Sequence, residues 1–496
     1  MNKNYEAICK GEEIRANLIE LKRICKDPEV AAGLLEGELD PAVIAALLGS
    51  DDAKIRKNAA LLIGELGAQE DVEALYAAYE QETTRFVRSS YLTALKALDV
   101  SDYIDSLQAR YERLLAYEPA EEEKKHVDEE RGLLQQLLAQ AGALKAHRFT
   151  GWERRSDVIF TTEQMLREPL KRMVEQRARN GLQARLHPMG VMVRTTELGA
   201  LAKLHAYREL LHALNVRSTL AGTPEELARA LLASNLMELL EKNHEGGPPF
   251  YFRVELRGML ERGEKSALAK ALAKELEQQR GGRLQNSTSD YEVELRLSRT
   301  KEQSFYPCLK FYTIDDARFF WRTRTIAASM HPSLAAGLTE LARPYLTEDG
   351  VVLDAFCGVG TWMIERNLCM PSRDNYAVDI FGEAIDGAKE NAAAAGIRCN
   401  FIKKNFPEFT SKHGMTEIFA DMPRRGKRTK EEWDAFYSDC FAQFERLLVP
   451  HGHLFLYANE TGFIKKNLRL RKGLTLLQEY VLHPKEGDAF YIIEKR

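Results

Sequence analysis

The fold of this chain is decided by one short stretch, Val351-Val352-Leu353-Asp354-Ala355-Phe356-Cys357-Gly358-Val359-Gly360-Thr361. An apolar strand runs into an acidic residue, then two glycines separated by one residue, then a segment typical of a helix. This order is that of a doubly wound α/β fold, which brings backbone close to a nucleotide-like ligand at the carboxyl end of its first strand. Glycine is needed there because a Cβ atom would block both the tight turn and the ligand's approach.

A second carboxylate, Asp379, ends the next apolar run, Tyr376-Ala377-Val378. It follows the last glycine by about 20 residues, the distance at which an acidic residue meets ribose hydroxyls. The loop has neither the third glycine of a dinucleotide fingerprint nor the Gly-Lys-Ser/Thr of a P-loop. The predicted ligand is therefore a nucleoside without pyrophosphate, and S-adenosylmethionine fits that description. The alternative is a buried turn in some other α/β domain.

The composition is that of an ordinary globular protein, with 45% hydrophobic and 29% charged residues. A length of 496 residues predicts about three domains. There is no apolar run of membrane-spanning length and no signal-peptide core, so we expect a cytoplasmic protein that does not contact a membrane. The seven cysteines are scattered without C-x-x-C spacing, so we expect neither a disulfide framework nor a metal site. The net charge of −4 means that nucleic-acid contacts would have to come from local basic patches.

The first part of the chain is helical and repetitive. Residues 55–66 match residues 87–98 at an offset of 32, with apolar positions at helical spacing in both copies. Helix pairs of this period stack into a solenoid with an extended binding surface. The first copy resembles a HEAT repeat, which predicts a HEAT-like α-solenoid over residues 1–145 on which a protein or RNA could dock. A plain helical bundle is the alternative, and the acidic run 118–131 is expected to be a solvated helix or linker.

The middle of the chain predicts an α+β domain over residues 150–320. Strand-like pieces at 158–160, 190–194, 251–256 and 291–297 alternate with helical segments. Three phrases, at 252–254, 265–273 and 286–295, resemble the THUMP module found in RNA-modifying enzymes. The stretch from Leu198 to Leu214 resembles the ferredoxin-like segment that usually precedes this module.

The stretch Met330-His331-Pro332-Ser333-Leu334 is similar to the helix that leads into the methyltransferase domain of the same enzymes. From about residue 150 to the end, the chain therefore resembles a THUMP-domain, S-adenosylmethionine-dependent RNA methyltransferase. The resemblance is to the branch that methylates guanine N2 in tRNA or large-subunit rRNA. It implies a Rossmann-like class I methyltransferase domain at 327–496 and a structured RNA substrate, tRNA first and rRNA second. The HEAT-like part is not in that family's usual plan.

The class I strand order places the cofactor at the carboxyl ends of the strands. Strands are predicted near 351–354, 375–379, 399–402, 416–421 and 452–457, with a final hairpin of 474–482 and 488–494. The resemblance implies that Asp379 takes the ribose hydroxyls, Ile380 packs on the adenine and Asn405 reaches the adenine amino group. The family often has Asp at this last position, and Asn405 keeps a hydrogen-bond acceptor. The predicted cofactor-binding residues are Asp354, Phe356, Gly358, Gly360, Thr361, Asp379, Ile380 and Asn405.

The fourth strand ends in Asp421-Met422-Pro423-Arg424, where amino-methylating relatives have Asn/Asp-Pro-Pro-Tyr/Phe. In those relatives, oxygen atoms accept the hydrogens of the target amine and the aromatic ring stacks on the flipped base. The predicted catalytic residues are Asp421, Pro423 and Arg424. An Arg plane can stack on a base, so the site is either retuned or disabled; a disabled site would leave a factor that binds S-adenosylmethionine and RNA without turnover.

Two further alternatives stay open at this point. Asp421 could be an ordinary strand-end carboxylate, and the methyl acceptor could be a protein or a small molecule, which would ignore the THUMP-like phrases. Basic residues in two places are expected to hold RNA phosphates, although those of the middle domain equally fit a solvated helix face. The middle-domain face is expected to extend to Arg296 after its last strand. The predicted RNA-binding residues are Lys265, Lys270, Arg283, Arg425, Lys427 and Arg428.

Overall fold

The computed structural model describes residues 2–37, 39–115, 117, 119–141, 147–179, 181–216, 219–279, 282–288, 290–327, 329–483 and 486–496. The predicted end of the helical domain, near residue 145, lies outside the described residues. Among the described residues, we find no helix whose length and apolar character would let it cross a membrane.

Helices alone build the N-terminal part. The predicted repeats coincide with α5 and α7, and Asp52 caps α5 by accepting a hydrogen bond from the Lys54 amide at 2.8 Å. The two helices approach closely because Gly64 has no side chain: a Cβ atom there would lie 2.7 Å from the Ala94 Cα. Whether the stack is a HEAT solenoid stays a prediction. The helices are α1 (Lys3–Cys9), α2 (Ile14–Ile24), α3 (Pro28–Gly37), α4 (Pro41–Ala46), α5 (Ala53–Leu66), α6 (Val72–Gln81), α7 (Arg85–Leu95), α8 (Ile104–Leu115) and α9 (Glu121–Gln140).

Most described residues of the acidic run are helical and exposed, as expected of a solvated helix, and Glu130 is an exception. The run lies largely in α9, where Glu130 is only 1% exposed. Its carboxylate accepts hydrogen bonds from Arg88 at 3.3 Å, Arg110 at 2.8 Å and Tyr79 at 2.9 Å. The sequence alone does not distinguish a buried, hydrogen-bonded glutamate from the exposed glutamates around it.

The middle part is an α+β domain around an eight-stranded sheet in the order β3-β4-β2-β5-β10-β9-β7-β8. Strand β7 runs parallel to β8 and β9, whereas the other neighbours are antiparallel. Its elements are β1 (Arg148–Phe149), β2 (Ser156–Thr161), α10 (Arg167–Arg177), β3 (Arg185–His187), β4 (Gly190–Thr195), α11 (Leu198–Leu201), β5 (Leu210–Ala213), α12 (Pro224–Leu232), α13 (Leu236–Asn243), β6 (His244–Glu245), β7 (Phe250–Arg257), α14 (Arg262–Gln279), β8 (Leu284–Asn286), β9 (Val293–Arg299) and β10 (Phe305–Phe311).

The C-terminal part is a doubly wound α/β domain with a seven-stranded sheet in the order β13-β12-β11-β14-β15-β17-β16. The first five strands are parallel, and β17 is antiparallel to both of its neighbours. All seven predicted strands are confirmed. The elements are α15 (Pro332–Ala342), β11 (Val351–Asp354), α16 (Thr361–Cys369), β12 (Asp374–Asp379), α17 (Gly382–Ala394), β13 (Asn400–Lys403), β14 (Met415–Asp421), α18 (Lys430–Leu447), β15 (Leu448–Ala458), α19 (Thr461–Leu470), β16 (Leu474–His483) and β17 (Asp488–Lys495).

This strand order creates a switch point between β11 and β14. The chain leaves β11 toward β12 and β13 on one side and returns through β14 and β15 on the other. In such sheets a ligand binds in the crevice outside the carboxyl ends of the strands at the switch point. The fold therefore predicts a ligand site between the loop after β11 and the end of β14.

The domains are joined by specific polar contacts. Nδ1 of His205 in the middle domain lies 2.9 Å from Oε2 of Glu365 on α16. The Asn391 side chain, on α17, accepts a hydrogen bond from the Arg324 amide and donates one to the Val359 carbonyl, both at 2.9 Å. Asn391 thus ties the linker before α15 to the glycine loop.

Candidate functional site

The glycine loop between β11 and α16 has the backbone that the sequence predicts. Gly358 and Gly360 have φ angles of 51° and 83°, which residues with a Cβ atom rarely adopt. The space around a Cβ at Gly358 is open to 4 Å, whereas one at Gly360 would lie 3.4 Å from the Ala388 Cβ. Gly358 is therefore the glycine that leaves room for a ligand, and Gly360 serves the packing of the loop on α17.

Asp379 and Ile380 lie where the sequence predicts them, at the carboxyl end of β12. The Asp379 carboxylate accepts hydrogen bonds from the amides of Gly358 and Phe381, both at 2.9 Å. These two bonds join the glycine loop to the second strand and orient the carboxylate. Ile380 is 55% exposed and Phe381 68% exposed, so an apolar surface lies open beside the carboxylate. Phe381 is an aromatic neighbour of the site that the sequence prediction did not include.

Asp354 is a buried carboxyl at the end of β11, 2% exposed. Burial raises its pKa to about 8, and the negative charges of Asp421 and Asp379 act in the same direction. Backbone hydrogen bonds from Phe356 and Met363 oppose this rise without cancelling it. A cationic group placed beside Asp354 would favour its ionised form, since an opposite charge at short range lowers the pKa of a carboxyl.

Asp421 ends β14 beside the glycine loop. The residue as a whole is half-buried, but its carboxyl group is withdrawn from water, and this burial raises its pKa to about 7. The positive charge of Arg424 lowers this pKa and the negative charge of Asp488 raises it. A strand-end carboxylate exposed to water would not show such a shift, so Asp421 belongs to an enclosed polar site.

Arg424 does not extend freely into solvent. Its Nη1 donates a hydrogen bond to Oδ1 of Asp488 at 2.6 Å, and Asp488 is the buried first residue of β17. Tyr457 of β15, the sheet neighbour of Asp421, is close to the same carboxylate: burial and then the charge of Asp488 raise the pKa of Tyr457. The structure thus adds Asp488 and Tyr457 to the predicted residues Asp421 and Arg424.

The remaining predicted residues in the loop after β11 and in the loop after β14 pack around this polar site. Phe356 is half-buried, with its ring centroid 5.4 Å from that of Phe406 and 6.1 Å from that of Phe436. Pro423 is half-buried, and Met422 before it is buried and donates its amide hydrogen to the Tyr457 carbonyl at 2.9 Å. The corner after β14 is therefore held to β15 by the backbone.

Two other cofactor predictions have different surroundings. Oγ1 of Thr361 is buried and has no hydrogen-bond partner among the described residues. Asn405 follows β13 and is half-buried; its Nδ2 lies 3.5 Å from Oε1 of Glu408, a long contact. Both side chains have unused hydrogen-bonding capacity, as a ligand-binding residue needs.

The basic loop, defined as residues 424–430, is exposed along its length. Within this loop, the guanidinium of Arg428 lies 4.9 Å from the ring centroid of Trp433 and 5.5 Å from that of Phe436. Trp433 itself is fully buried, as predicted. Arg425 and Lys430 also line a cavity of about 590 Å³ between this loop and α19. The predicted residues Arg425, Lys427 and Arg428 are thus on one loop directly after Asp421.

The basic residues of the middle domain do not form the single face that the sequence suggests. Lys265 and Lys270 are on α14, but five residues at 3.6 per turn place them about 140° apart. Arg283 forms an ion pair with Glu241. Arg296 lies inside β9, 5% exposed, and pairs with Glu209 and Glu294. The expectation that Arg296 belongs to an exposed basic face is wrong.

Comparison with known proteins identifies the chemistry of the C-terminal part. Residues 320–483 match the protein family described as UPF0020: RMKL-like, methyltransferase domain. The C-terminal part is a methyltransferase domain. The methyltransferase match indicates S-adenosylmethionine as the cofactor. No curated protein matches the chain.

Solved structures share the fold of the methyltransferase domain and of part of the chain before it. TrmN from Thermus thermophilus is 22% identical, with a TM-score of 0.53 over 68% of this chain and 99% of that chain. SMU.472, solved in complex with SAH, is 16% identical, with a TM-score of 0.51 over 68% and 97% of the two chains. A "predicted N6-adenine-specific DNA methylase" from Listeria monocytogenes is 17% identical, with a TM-score of 0.50 over 68% and 96%. At these identities the likeness establishes a shared Rossmann-like architecture.

Proposed function

We propose that this protein transfers a methyl group from S-adenosylmethionine to an exocyclic amine of a base in structured RNA, with guanine N2 of tRNA as the first candidate and rRNA as the second. The observation that carries the proposal is the position of Asp421. The buried carboxyl group of Asp421 lies at the switch point. It is close enough to Asp354 of the cofactor loop for its negative charge to raise the pKa of Asp354.

The residues around the glycine loop fit the cofactor. S-adenosylmethionine carries an ammonium and a sulfonium charge, and the buried Asp354 is a carboxyl whose ionised form needs a cation nearby. Thr361 has a buried hydroxyl without a partner among the described residues, available for a polar group of the ligand. We assign the ribose hydroxyls to Asp379, whose carboxylate accepts hydrogen bonds from two amides, and the adenine ring to the exposed Ile380.

The bound cofactor would supply an electrophilic methyl group, and the protein's own part is to place the acceptor amine. The Asp421 carboxylate can accept hydrogen bonds from that amine, which directs the nitrogen lone pair at the methyl group. The same carboxylate can take up the proton that the nitrogen loses once it is methylated. No covalent nucleophile takes part: Cys357 is buried in the glycine loop, and burial raises the pKa of its thiol well above the usual value. A thiol with a raised pKa is a poor nucleophile.

RNA would be held by the basic loop and by the parts of the chain that precede the methyltransferase domain. The basic loop follows Asp421 directly and can contact phosphates beside the target base. We propose a THUMP-like RNA-binding role for residues 150–320, with Lys265, Lys270 and Arg283 as phosphate contacts, and a HEAT-like docking platform for residues 1–145. We place this activity in the cytoplasm.

A second candidate function keeps S-adenosylmethionine and RNA binding without methyl transfer. The observation that favours it is at the corner after β14, where Arg424 stands in place of a stacking aromatic residue and is paired with Asp488. In this reading the domain serves as an RNA-binding or assembly factor.

The discriminating experiment incubates purified protein and labelled S-adenosylmethionine with bulk RNA. Three proteins are compared: the wild type, Asp421→Ala and Asp379→Ala. We expect label on RNA with the wild type only, with cofactor affinity lost in Asp379→Ala but kept in Asp421→Ala. Tight cofactor binding by the wild type with no transfer to tRNA or rRNA would favour the binding factor. Transfer that persists in Asp421→Ala would show that the acceptor amine is placed elsewhere.

A further inference from the structure

A cavity of about 870 Å³ lies in the middle domain, next to the linker that leads to the methyltransferase domain. Its lining comes from the turn before β5, from β10 and from residues 312–320. None of the residues that line it belongs to the candidate site around Asp354 and Asp421. The volume is in the range of sites that bind ligands of nucleotide size.

The wall of the cavity is fixed by hydrogen bonds and ring contacts. The guanidinium of Arg318 lies 3.6 Å from the ring centroid of Tyr207 and donates to the Tyr207 carbonyl at 2.7 Å. The same guanidinium is bonded to both carboxylate oxygens of Asp316, at 2.7 and 2.6 Å. A wall held in this way is formed before any ligand arrives, which lowers the entropic cost of binding.

The cavity has an excess of available positive charge. Four Lys or Arg side chains and three carboxylates line it. Lys310 pairs with Glu209, and Arg318 with Asp316. Lys203 and Arg208 are exposed, and neither forms an ion pair within the part of the chain that the structure describes. Two free cations therefore face a single remaining carboxylate, Asp315.

Two aromatic rings are exposed in the same concave surface. Phe320 is 67% exposed and Tyr312 43% exposed. A single exposed apolar residue needs no explanation. Aromatic rings beside unpaired cations are the combination by which proteins hold single-stranded nucleic acid, because the rings stack on bases and the cations contact phosphates.

We propose that this cavity binds one unstacked nucleotide of an RNA strand, separate from the base that receives the methyl group. Phe320 stacks on its base, and Lys203 and Arg208 contact its phosphate. The inference rests on the proposed function for the identity of the ligand as RNA. His205 of the cavity contacts Glu365, which lies one turn into the helix that begins at the glycine loop. Four residues of helix span about 6 Å, so one strand could reach both sites.

The test measures binding of a fluorescein-labelled, single-stranded RNA heptamer by anisotropy. The variants are Phe320→Ala and the double substitution Lys203→Ala/Arg208→Ala. Matched controls are Leu470→Ala, an apolar side chain that is 69% exposed on α19, and Lys412→Ala, an exposed cation before β14. We expect each cavity variant to bind about tenfold more weakly, with both controls unchanged. Thermal unfolding of each variant checks that the fold is retained.

Two outcomes would overturn the proposal. Unchanged affinity in both cavity variants would exclude the cavity as an RNA site. Loss in the double variant but not in Phe320→Ala would show a plain anion-binding patch without base stacking. The heptamer assay does not depend on turnover. If the wild-type protein methylates RNA while the cavity variants bind the heptamer normally, only the inference about the cavity fails. If the cavity variants lose heptamer binding and the wild-type protein methylates no RNA, only the proposed activity fails.

Discussion

Arg424 and Asp488 form an ion pair at 2.6 Å that joins the corner after β14 to the start of β17. Arg424 stands in the position that the resemblance assigns to a stacking aromatic residue, and its side chain is 55% exposed, whereas that of Asp488 is 4% exposed. The pair holds Nη1 of Arg424 against the buried carboxylate of Asp488. Its role is therefore open to a direct test by removing the buried partner.

Asp488→Asn is expected to lower the rate of methyl transfer about tenfold, the effect of losing one hydrogen bond to a charged group. The physical reason is that Arg424 loses the charge that orients it, while the cofactor loop is untouched. Cofactor affinity, measured by calorimetry, should stay within twofold of the wild type. Glu494→Gln on the same strand is the matched control and should leave the rate unchanged. A wild-type rate in Asp488→Asn would show that the orientation of Arg424 does not matter.

The rate of methyl transfer should rise with pH and level off above pH 7. Only the ionised Asp421 carboxylate can both accept a hydrogen bond from the amine and take up its proton, and the pKa of Asp421 is raised to about 7. At pH 6 the ionised fraction, and with it the rate, should be about a tenth of its plateau value. Single-turnover rates between pH 5.5 and 8.5 provide the measurement. Asp421→Asn should remove this dependence, and a wild-type profile without a step near pH 7 would contradict the assigned role.

The cofactor-free protein should become less stable as the pH rises from about 4 to 8. The folded state raises the pKa of Asp354 to about 8, so it keeps a proton that the unfolded chain releases near its usual value of 3.8. The stabilisation is fully present below the unfolded-state pKa and is lost as the pH passes through the folded-state pKa. Asp421 acts in the same direction.

Thermal unfolding as a function of pH, for the wild type and Asp354→Asn, isolates this contribution from those of other titrating groups. As the pH is raised, the Tm of the wild type should fall relative to the Tm of Asp354→Asn. Addition of S-adenosylmethionine should diminish that shift, because its positive charge favours the ionised carboxylate. A difference that is the same at pH 5 and pH 8 would contradict the prediction.

The parts of the site that the sequence predicts are those with a local pattern. Asp354, the two glycines and Asp379 follow from strand ends and turn residues within one stretch of chain. Asp488 could not be predicted in the same way, because it meets Arg424 across 64 residues through the pairing of β17 with β15. Nothing in the local sequence around Asp488 distinguishes it from a residue at the start of any edge hairpin.

The same distinction explains the strands of the middle domain. The four predicted strands lie in β2, β4, β7 and β9, whereas the other four strands of the sheet, β3, β5, β8 and β10, are not predicted. Strand β5 has four residues, too few for an alternating pattern to emerge. Strand β10 contains Pro307, a residue that weakens the expectation of a strand in the interior of a sheet. Tertiary pairing with β9 overrides this local signal.

RNA binding should depend on salt through the basic loop. Each phosphate contact contributes about one unit to the slope of log affinity against log salt. Lys427→Ala should therefore reduce that slope by about one and weaken binding uniformly across RNA sequences. Dissociation constants measured at roughly 50 to 200 mM salt give the slope. Lys412→Ala serves as the control, and an unchanged slope in Lys427→Ala would exclude a phosphate contact there.

Stability of the methyltransferase domain should depend on the buried pair of Arg366 and Glu417. Both side chains are 0% exposed, and Arg366 donates to the two carboxylate oxygens at 2.9 and 2.8 Å. Glu417→Ala leaves the guanidinium buried without its counter-charge, which should cost about 3–5 kcal/mol. Arg366 is on α16, the helix that begins at the glycine loop, so cofactor affinity should fall as well.

The measurement is chemical denaturation followed by circular dichroism, using the transition that shifts when S-adenosylmethionine is added. The double variant Arg366→Met/Glu417→Leu removes both charges and should recover much of the lost free energy of unfolding, because apolar side chains of similar size can replace a buried ion pair. Recovery in the double variant assigns the loss in Glu417→Ala to an uncompensated charge. Equal destabilisation of both variants would instead assign it to packing, and an unshifted transition in Glu417→Ala would refute the prediction.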